Sequence, residues 1–207
     1  MAKAIKDGIG SRDILVSTGG SGYFDVSVFD EYFHCPSIDI VAVHAYGGDL
    51  ESGHLSRAVT KAQQNGKFVV IQEWGACYDN GPNEKCAAAN GVADNGSRNK
   101  YISDHANVMN NAGVPWMYWQ ILPNEWKSGD WNYEVAINGP NWATLKNAGL
   151  AADNADSPFD FSRWLPGGGG GTNPPPPSTT TSSAGTGPTS NPPSGGNGFP
   201  HNTCKWG

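Results

Sequence analysis

Four short runs of nearly unbroken apolar character constrain this chain most: Asp13–Thr18 (DILVST), Ile38–Tyr46 (IDIVAVHAY), Lys67–Trp74 (KFVVIQEW) and Val114–Leu122 (VPWMYWQIL). Each has the length of a strand, and their continuity suits strands buried on both faces, as in parallel sheets. Helical patterns alternate with them. Leu55, Ala58, Val59 and Ala62 fall at i, i+3, i+4 and i+7, with Gly66 as the stop. Ser97 is placed to cap a second helix carrying Ile102, Ala106 and Met109 that closes at Gly113. A third is expected after Pro140, with Trp142 and Leu145 facing inward. The opening AKAIKD, stopped by Gly8, reads as the end of a helix whose own strand precedes it. Alternation of this kind belongs to the α/β class. About four βα units are half of the eight that close a (β/α)8 TIM barrel of about 250 residues, so a C-terminal half-barrel over residues 1–166 is expected.

Residues 167–198 are almost wholly Gly, Pro, Ser, Thr and Asn, with GGGGG, PPPP and STTTSS runs. Such a segment cannot bury enough apolar surface to fold and reads as a disordered, partly polyproline II linker. Residues 199–207 (FPHNTCKWG) follow it and are read as the start of a second, truncated module. The 13 Lys and Arg stand against 19 Asp and Glu, a net charge of −6 with no basic cluster, which argues against nucleic acid as a partner. No apolar run approaches the ~20 residues of a membrane span, and the first residues lack the apolar core of a signal peptide.

Cys77 and Cys86 bracket a loop with Asn80, Gly81 and Pro82 at its turn, and a disulfide between them is expected. It would contribute about 2–3 kcal/mol in the chain-entropy model and needs an oxidising compartment. Two reduced loop cysteines are the alternative. Cys35 has no evident mate and is read as a small packed residue, while Cys204 lies in the truncated segment.

Barrel enzymes collect their chemistry at the C-terminal ends of the strands. There Glu73 terminates the apolar run FVVIQ, followed by Trp74 and Gly75. On the preceding strand His44 and Tyr46 are two apart, so both point to one side and can hydrogen-bond a carboxylate between them. Trp119, on the next strand, offers a flat apolar face of the kind sugars stack on, and Trp126 and Trp131 follow closely. Trp116 and Tyr118 read as packing residues. Taken alone, Glu73 is more often a solvated surface group and His44 an ordinary hydrogen-bonded strand-end histidine; their order along successive strands favours a site. Ser17–Gly22 (STGGSG) lacks the G-x-G-x-x-G spacing of a dinucleotide loop. The other histidines show no metal-ligand spacing, and no cofactor is expected.

His44-Ala45-Tyr46, then Gln72-Glu73-Trp74-Gly75, then Trp119 resemble the sixth, seventh and eighth strands of glycoside hydrolase family 5, which contains cellulases and endo-β-mannanases. The resemblance runs from about Asp13 to Leu165. It implies a retaining mechanism in which Glu73 attacks the anomeric carbon and forms a glycosyl-enzyme, His44 and Tyr46 orient it, and Trp119, with Trp74 and Trp126, binds sugar. The family's acid/base glutamate follows an Asn on the fourth strand; Asn83-Glu84 and Asn124-Glu125 are the Asn-Glu pairs here, and neither has that strand order. The expectation is therefore a secreted enzyme acting on β-1,4-linked mannan, cellulose or other β-glucan, inactive alone without the N-terminal half of the barrel. The alternatives are a non-catalytic carbohydrate-binding remnant and an unrelated cytosolic βα enzyme.

Overall fold

The computed structural model describes residues 1–10, 13–46, 50, 53–77, 95–124 and 133–165, with the backbone alone at 95–97. Helix α1 (Ala2–Ile9) leads into the first apolar run, and short helices α2 (Phe24–Ser27) and α3 (Asp30–His34) precede strand β1 (Ile40–Tyr46). Helix α4 (His54–Gln64), strand β2 (Phe68–Gly75), helix α5 (Asn95–Asn111) and strand β3 (Trp116–Tyr118) complete the alternation. Strands β4 (Ile121–Leu122) and β5 (Val135–Ala136), helix α6 (Trp142–Ala152) and a 3-10 turn (Ser162–Trp164) follow.

β1, β2 and β3 form a parallel sheet in chain order. The first run, Asp13–Thr18, was expected as a full strand and is instead joined to β1 by a single parallel bridge, Ser17 to Ile40. Side chains share the pairing: the Val16 N–H donates to Asp39 Oδ2 at 2.6 Å, and the Ala42 N–H to Thr18 Oγ1 at 3.0 Å. Side-chain acceptors in place of carbonyls break the regular ladder. The fourth run also ends early, at Tyr118; Ile121 and Leu122 pair in parallel with Val135 and Ala136 in a separate two-stranded sheet.

One face of the sheet carries the core. Val41, Val43 and Ala45 of β1 and Val69, Ile71 and Trp74 of β2 are buried there with Leu55, Ala58 and Ala62 of α4, Ile102, Ala106 and Met109 of α5, and Leu145 of α6. At roughly 1.5–3 kcal/mol for each fully buried large aliphatic side chain, this layer is the main source of stability. Two helix stops follow from glycine: Gly66 and Gly113 sit at φ 62° and 61°, the left-handed region that ends a helix and turns the chain back into a strand. Gly8 does not stop α1, which continues to Ile9 and ends at Gly10, φ 64°. Ser97 lies inside α5, which starts at Asn95, so it is not the cap. Trp142 opens α6 and packs against the core.

Cys35 and Cys77 are both disulfide-bonded. Cys35 is therefore not a lone packed thiol, though it is buried as expected; spacing along the chain gives no sign of a mate distant in sequence. Cys86 and Cys204 lie outside the described residues, as do Glu84, Glu125, Trp126, Trp131, the 167–198 segment and residues 199–207.

Candidate active site

The site begins with an irregularity in β2. Ile40 to Val43 pair with Phe68 to Ile71 in simple register, but His44 then pairs with Glu73, so Gln72 is an extra residue. The same step appears against β3, where Ile71 pairs with Trp116 and Trp74 with Tyr118. A bulge of this kind re-aims the side chains beyond it. Strict alternation from Val69 and Ile71 would send residue 73 into the helix-facing core; with the bulge Trp74 takes that place and Glu73 turns to the other face beside His44 and Tyr46.

The Tyr46 hydroxyl donates to Glu73 Oε2 at 3.0 Å, and His44 Nδ1 lies 3.5 Å from the same oxygen. The Glu73 side chain is 31% exposed, reachable yet partly withdrawn from water. The Tyr46 phenol is held well above the ordinary tyrosine range, first by burial and then by the charge and hydrogen bond of Glu73. It therefore stays a protonated donor at neutral pH. The arrangement is a carboxylate fixed by a neutral donor on one oxygen, on a side chain still partly open to solvent.

Two glycines make this packing feasible. A Cβ on Gly20, which has φ +75°, would lie 2.3 Å from His44 Cδ2, so the STGGSG loop serves as the bed of the His44 ring. A Cβ on Gly75 would lie 2.6 Å from the Trp119 carbonyl oxygen and 3.0 Å from Tyr133 Cδ1. Only glycine lets the end of β2 approach Trp119, whose N–H donates to the Trp74 carbonyl at 2.8 Å. The Trp119–Gln120 peptide is cis, and Trp119 is 48% exposed.

Trp74 does not join this site. It is fully buried, edge-on to Trp116 at 5.3 Å and to Tyr118 at 5.0 Å, and has no face free for a sugar. The cause is again the bulge, which sends Trp74 to the helix side. Trp116 donates to Asn110 Oδ1 at 2.8 Å and packs as expected.

Tyr133 and Arg98 were missed in the sequence. The Tyr133 ring lies against that of Tyr46, centroids 4.8 Å apart, and its phenol too is raised by burial. Arg98, only 3% exposed, donates to the carbonyls of Ala76 (2.9 Å), Tyr133 (2.9 Å) and Glu134 (3.0 Å) and to Asn141 Oδ1 (2.9 Å). A signal for it exists: Arg98 lies on the stripe of Ile102, Ala106 and Met109, where a charge must be buried and satisfied. Tyr133 carries no periodic signal. A cavity between α2 and α4, lined by Phe24, Phe33, His54, Arg57 and Lys61 among others, involves none of the groups around Glu73.

The sequence matches the family description Cellulase (glycosyl hydrolase family 5) over residues 1–125, which include His44, Tyr46, Glu73 and Trp119. No curated protein sequence matches the chain. Among solved structures, the endo-1,4-β-mannanase of Rhizomucor miehei is similar at a TM-score of 0.51 and 17% identity, over 74% of this chain and 44% of that one. The endo-β-1,4-mannanase of Thermotoga petrophila is similar at a TM-score of 0.41 and 15% identity, over 60% of this chain and 28% of that one. The chain thus spans less than half the length of either. It belongs to glycosyl hydrolase family 5, the cellulase family, whose fold is the (β/α)8 barrel.

Proposed function

We propose that this chain supplies the nucleophile side of a retaining glycoside hydrolase acting on β-1,4-linked mannan, cellulose or other β-glucan. The single observation that carries the reading is the contact of Tyr46 and His44 with one oxygen of Glu73 at the C-terminal end of parallel strands. In the first step a Glu73 oxygen bonds to the anomeric carbon as the glycosidic C–O bond breaks; in the second, water displaces the carboxylate. Tyr46 and His44 orient the nucleophile, and the indole of the half-exposed Trp119 is the stacking face for the sugar next to the cleaved bond.

Retaining hydrolysis also needs an acid about 5–5.5 Å from the nucleophile to protonate the leaving oxygen. Among the described residues, the groups in contact with the Glu73 carboxylate are a phenol and an imidazole. The family resemblance puts the acid/base carboxylate on a fourth strand, ahead of the sixth to eighth strands that this chain resembles, and the 44% coverage of the Rhizomucor mannanase is in keeping with that. Disulfides at Cys35 and Cys77 support a secreted protein.

The test compares substrates by leaving group. The 207-residue chain should release no reducing sugar from mannan or cellulose, yet give a burst of about one nitrophenolate per chain from an activated aryl β-glycoside, because that anion leaves without protonation. Glu73→Gln should abolish the burst. A burst surviving Glu73→Gln would overturn the reading, and rapid polysaccharide hydrolysis would overturn the separation of the two carboxyls. Glycan binding without any burst would select the non-catalytic alternative.

A further inference from the structure

We propose that Arg98 is a positioning residue for Glu73, acting through Tyr133 and Tyr46. The inference rests on the reading of Glu73 given above, but its geometry is independent of it. Arg98 projects from the first turns of α5 beneath the rim of the site. Its Nε donates to the Ala76 carbonyl, just past the end of β2, and its Nη2 to the Tyr133 and Glu134 carbonyls, just before β5. Nη1 donates to Asn141 at the start of α6, which is steadied by a 2.8 Å bond from its amide to Asn99. One planar guanidinium thus fixes the exit of one strand, the entrance of another and the entrance of a helix, a geometry that its fork of five N–H donors allows and an ammonium does not.

Tyr118 doubles the clamp. Its hydroxyl accepts from the Ala76 N–H at 3.1 Å and from Arg98 at 3.2 Å, and donates to the Tyr133 carbonyl at 3.0 Å. The Tyr133 carbonyl therefore receives two donors, and the residue it belongs to has little freedom to move. Its ring rests on Tyr46 and against Gly75, the residue paired with Tyr46 across the strands. Tyr46 in turn donates to Glu73. The chain of contact is continuous: Arg98 and Tyr118, the Tyr133 backbone, the Tyr133 ring, the Tyr46 ring, the Glu73 carboxylate. Burying a cation is expensive unless its donors are satisfied, and here the satisfied cation sits where the rim of the site must be held.

The experiment reads the last link at neutral pH. Tyrosines of the 207-residue chain are labelled with 13C at Cζ, and the Tyr46 resonance is assigned with Tyr46→Phe. Its position reports donation to a carboxylate, and Glu73→Gln gives the end-point with the anion removed. Arg98→Lys, which keeps the charge and loses the fork, should move the Tyr46 resonance at least halfway to that end-point and slow labelling of Glu73 by a 2-fluoro glycoside about tenfold, with the inhibitor's binding constant unchanged. Tyr118→Phe removes one donor from the Tyr133 carbonyl and keeps the cation, so it should act in the same direction, less strongly, and carries the test if Arg98→Lys does not fold. A Tyr46 resonance that stays at its wild-type position in the folded variants, even with lowered melting temperatures, would overturn the proposal. Absence of labelling in the wild-type chain, with the Tyr46 shifts present, would instead sink the nucleophile reading alone.

Discussion

Replacing Gly75 by alanine tests the close approach that forms the site. The added Cβ would stand 2.6 Å from the Trp119 carbonyl oxygen, and ordinary contact begins at 3.4 Å, so one backbone must retreat by about 0.8 Å. Neither side is a flexible side-chain end. Moving Trp119 away stretches the 2.8 Å bond from its N–H to the Trp74 carbonyl beyond the range of a good hydrogen bond, a loss of about 1 kcal/mol. Crowding against Tyr133 at 3.0 Å adds the overpacking cost, roughly 1–3 kcal/mol. Gly75→Ala should therefore destabilise by about 2–4 kcal/mol, and at about 2–4 °C per kcal/mol for a chain of this size the melting temperature falls by roughly 4–16 °C. Differential scanning calorimetry measures this, and Glu73 labelling should fall in the same variant at a temperature where both proteins are folded. An alanine variant that melts within about 1 °C of the parent and labels at the parent rate would refute the claim that this approach positions Trp119.

Gly20→Ala combines φ +75° with a Cβ 2.3 Å from the His44 ring, so it should cost at least ~1 kcal/mol and shift the His44 ring resonances in NMR spectra; unchanged resonances would contradict the bed assigned to the loop. Gly113→Ala, away from the site, meets the Asp156 carbonyl oxygen at 2.0 Å at φ +61° and should lower the melting temperature without moving those resonances. Tyr46, Tyr118 and Tyr133 have folded-state ionisation raised by burial. Their contribution to stability is complete below the unfolded tyrosine value of about 10 and is lost as pH rises through the folded values, because the unfolded chain then binds fewer protons. Denaturant melts should show stability falling above about pH 10, with a shallower fall in Tyr46→Phe; an equal slope would remove Tyr46 from the account.

The strands that carry the site were legible because apolar continuity and helical periodicity are local. So was the convergence of His44, Tyr46 and Glu73, although the reason it occurs was not. Counting by twos places His44 and Tyr46 on one side, but the Gln72 bulge that brings Glu73 to them and buries Trp74 depends on pairing with two neighbouring strands at once. Trp74 was misread for that reason: an indole beside a catalytic-looking glutamate is indistinguishable in sequence from one packed between Trp116 and Tyr118. Asp13–Thr18 has the composition of a strand, yet Asp39 and Thr18 replace part of its ladder with side-chain bonds. Arg98 left a mark, as a charge on an apolar helical stripe. Tyr133 left none, because its place is set by Arg98, Tyr118 and Gly75, all distant along the chain.

The central claim, that Glu73 is the nucleophile, is tested most directly by incubating the chain with an activated 2-fluoro β-glycoside and mapping the adduct by peptide mass spectrometry. A fluorine at C2 slows hydrolysis of the glycosyl-enzyme more than its formation, so the ester accumulates. The account predicts one sugar per chain, on Glu73, and none in Glu73→Gln. A label on any other carboxylate, or one that persists in Glu73→Gln, would contradict it.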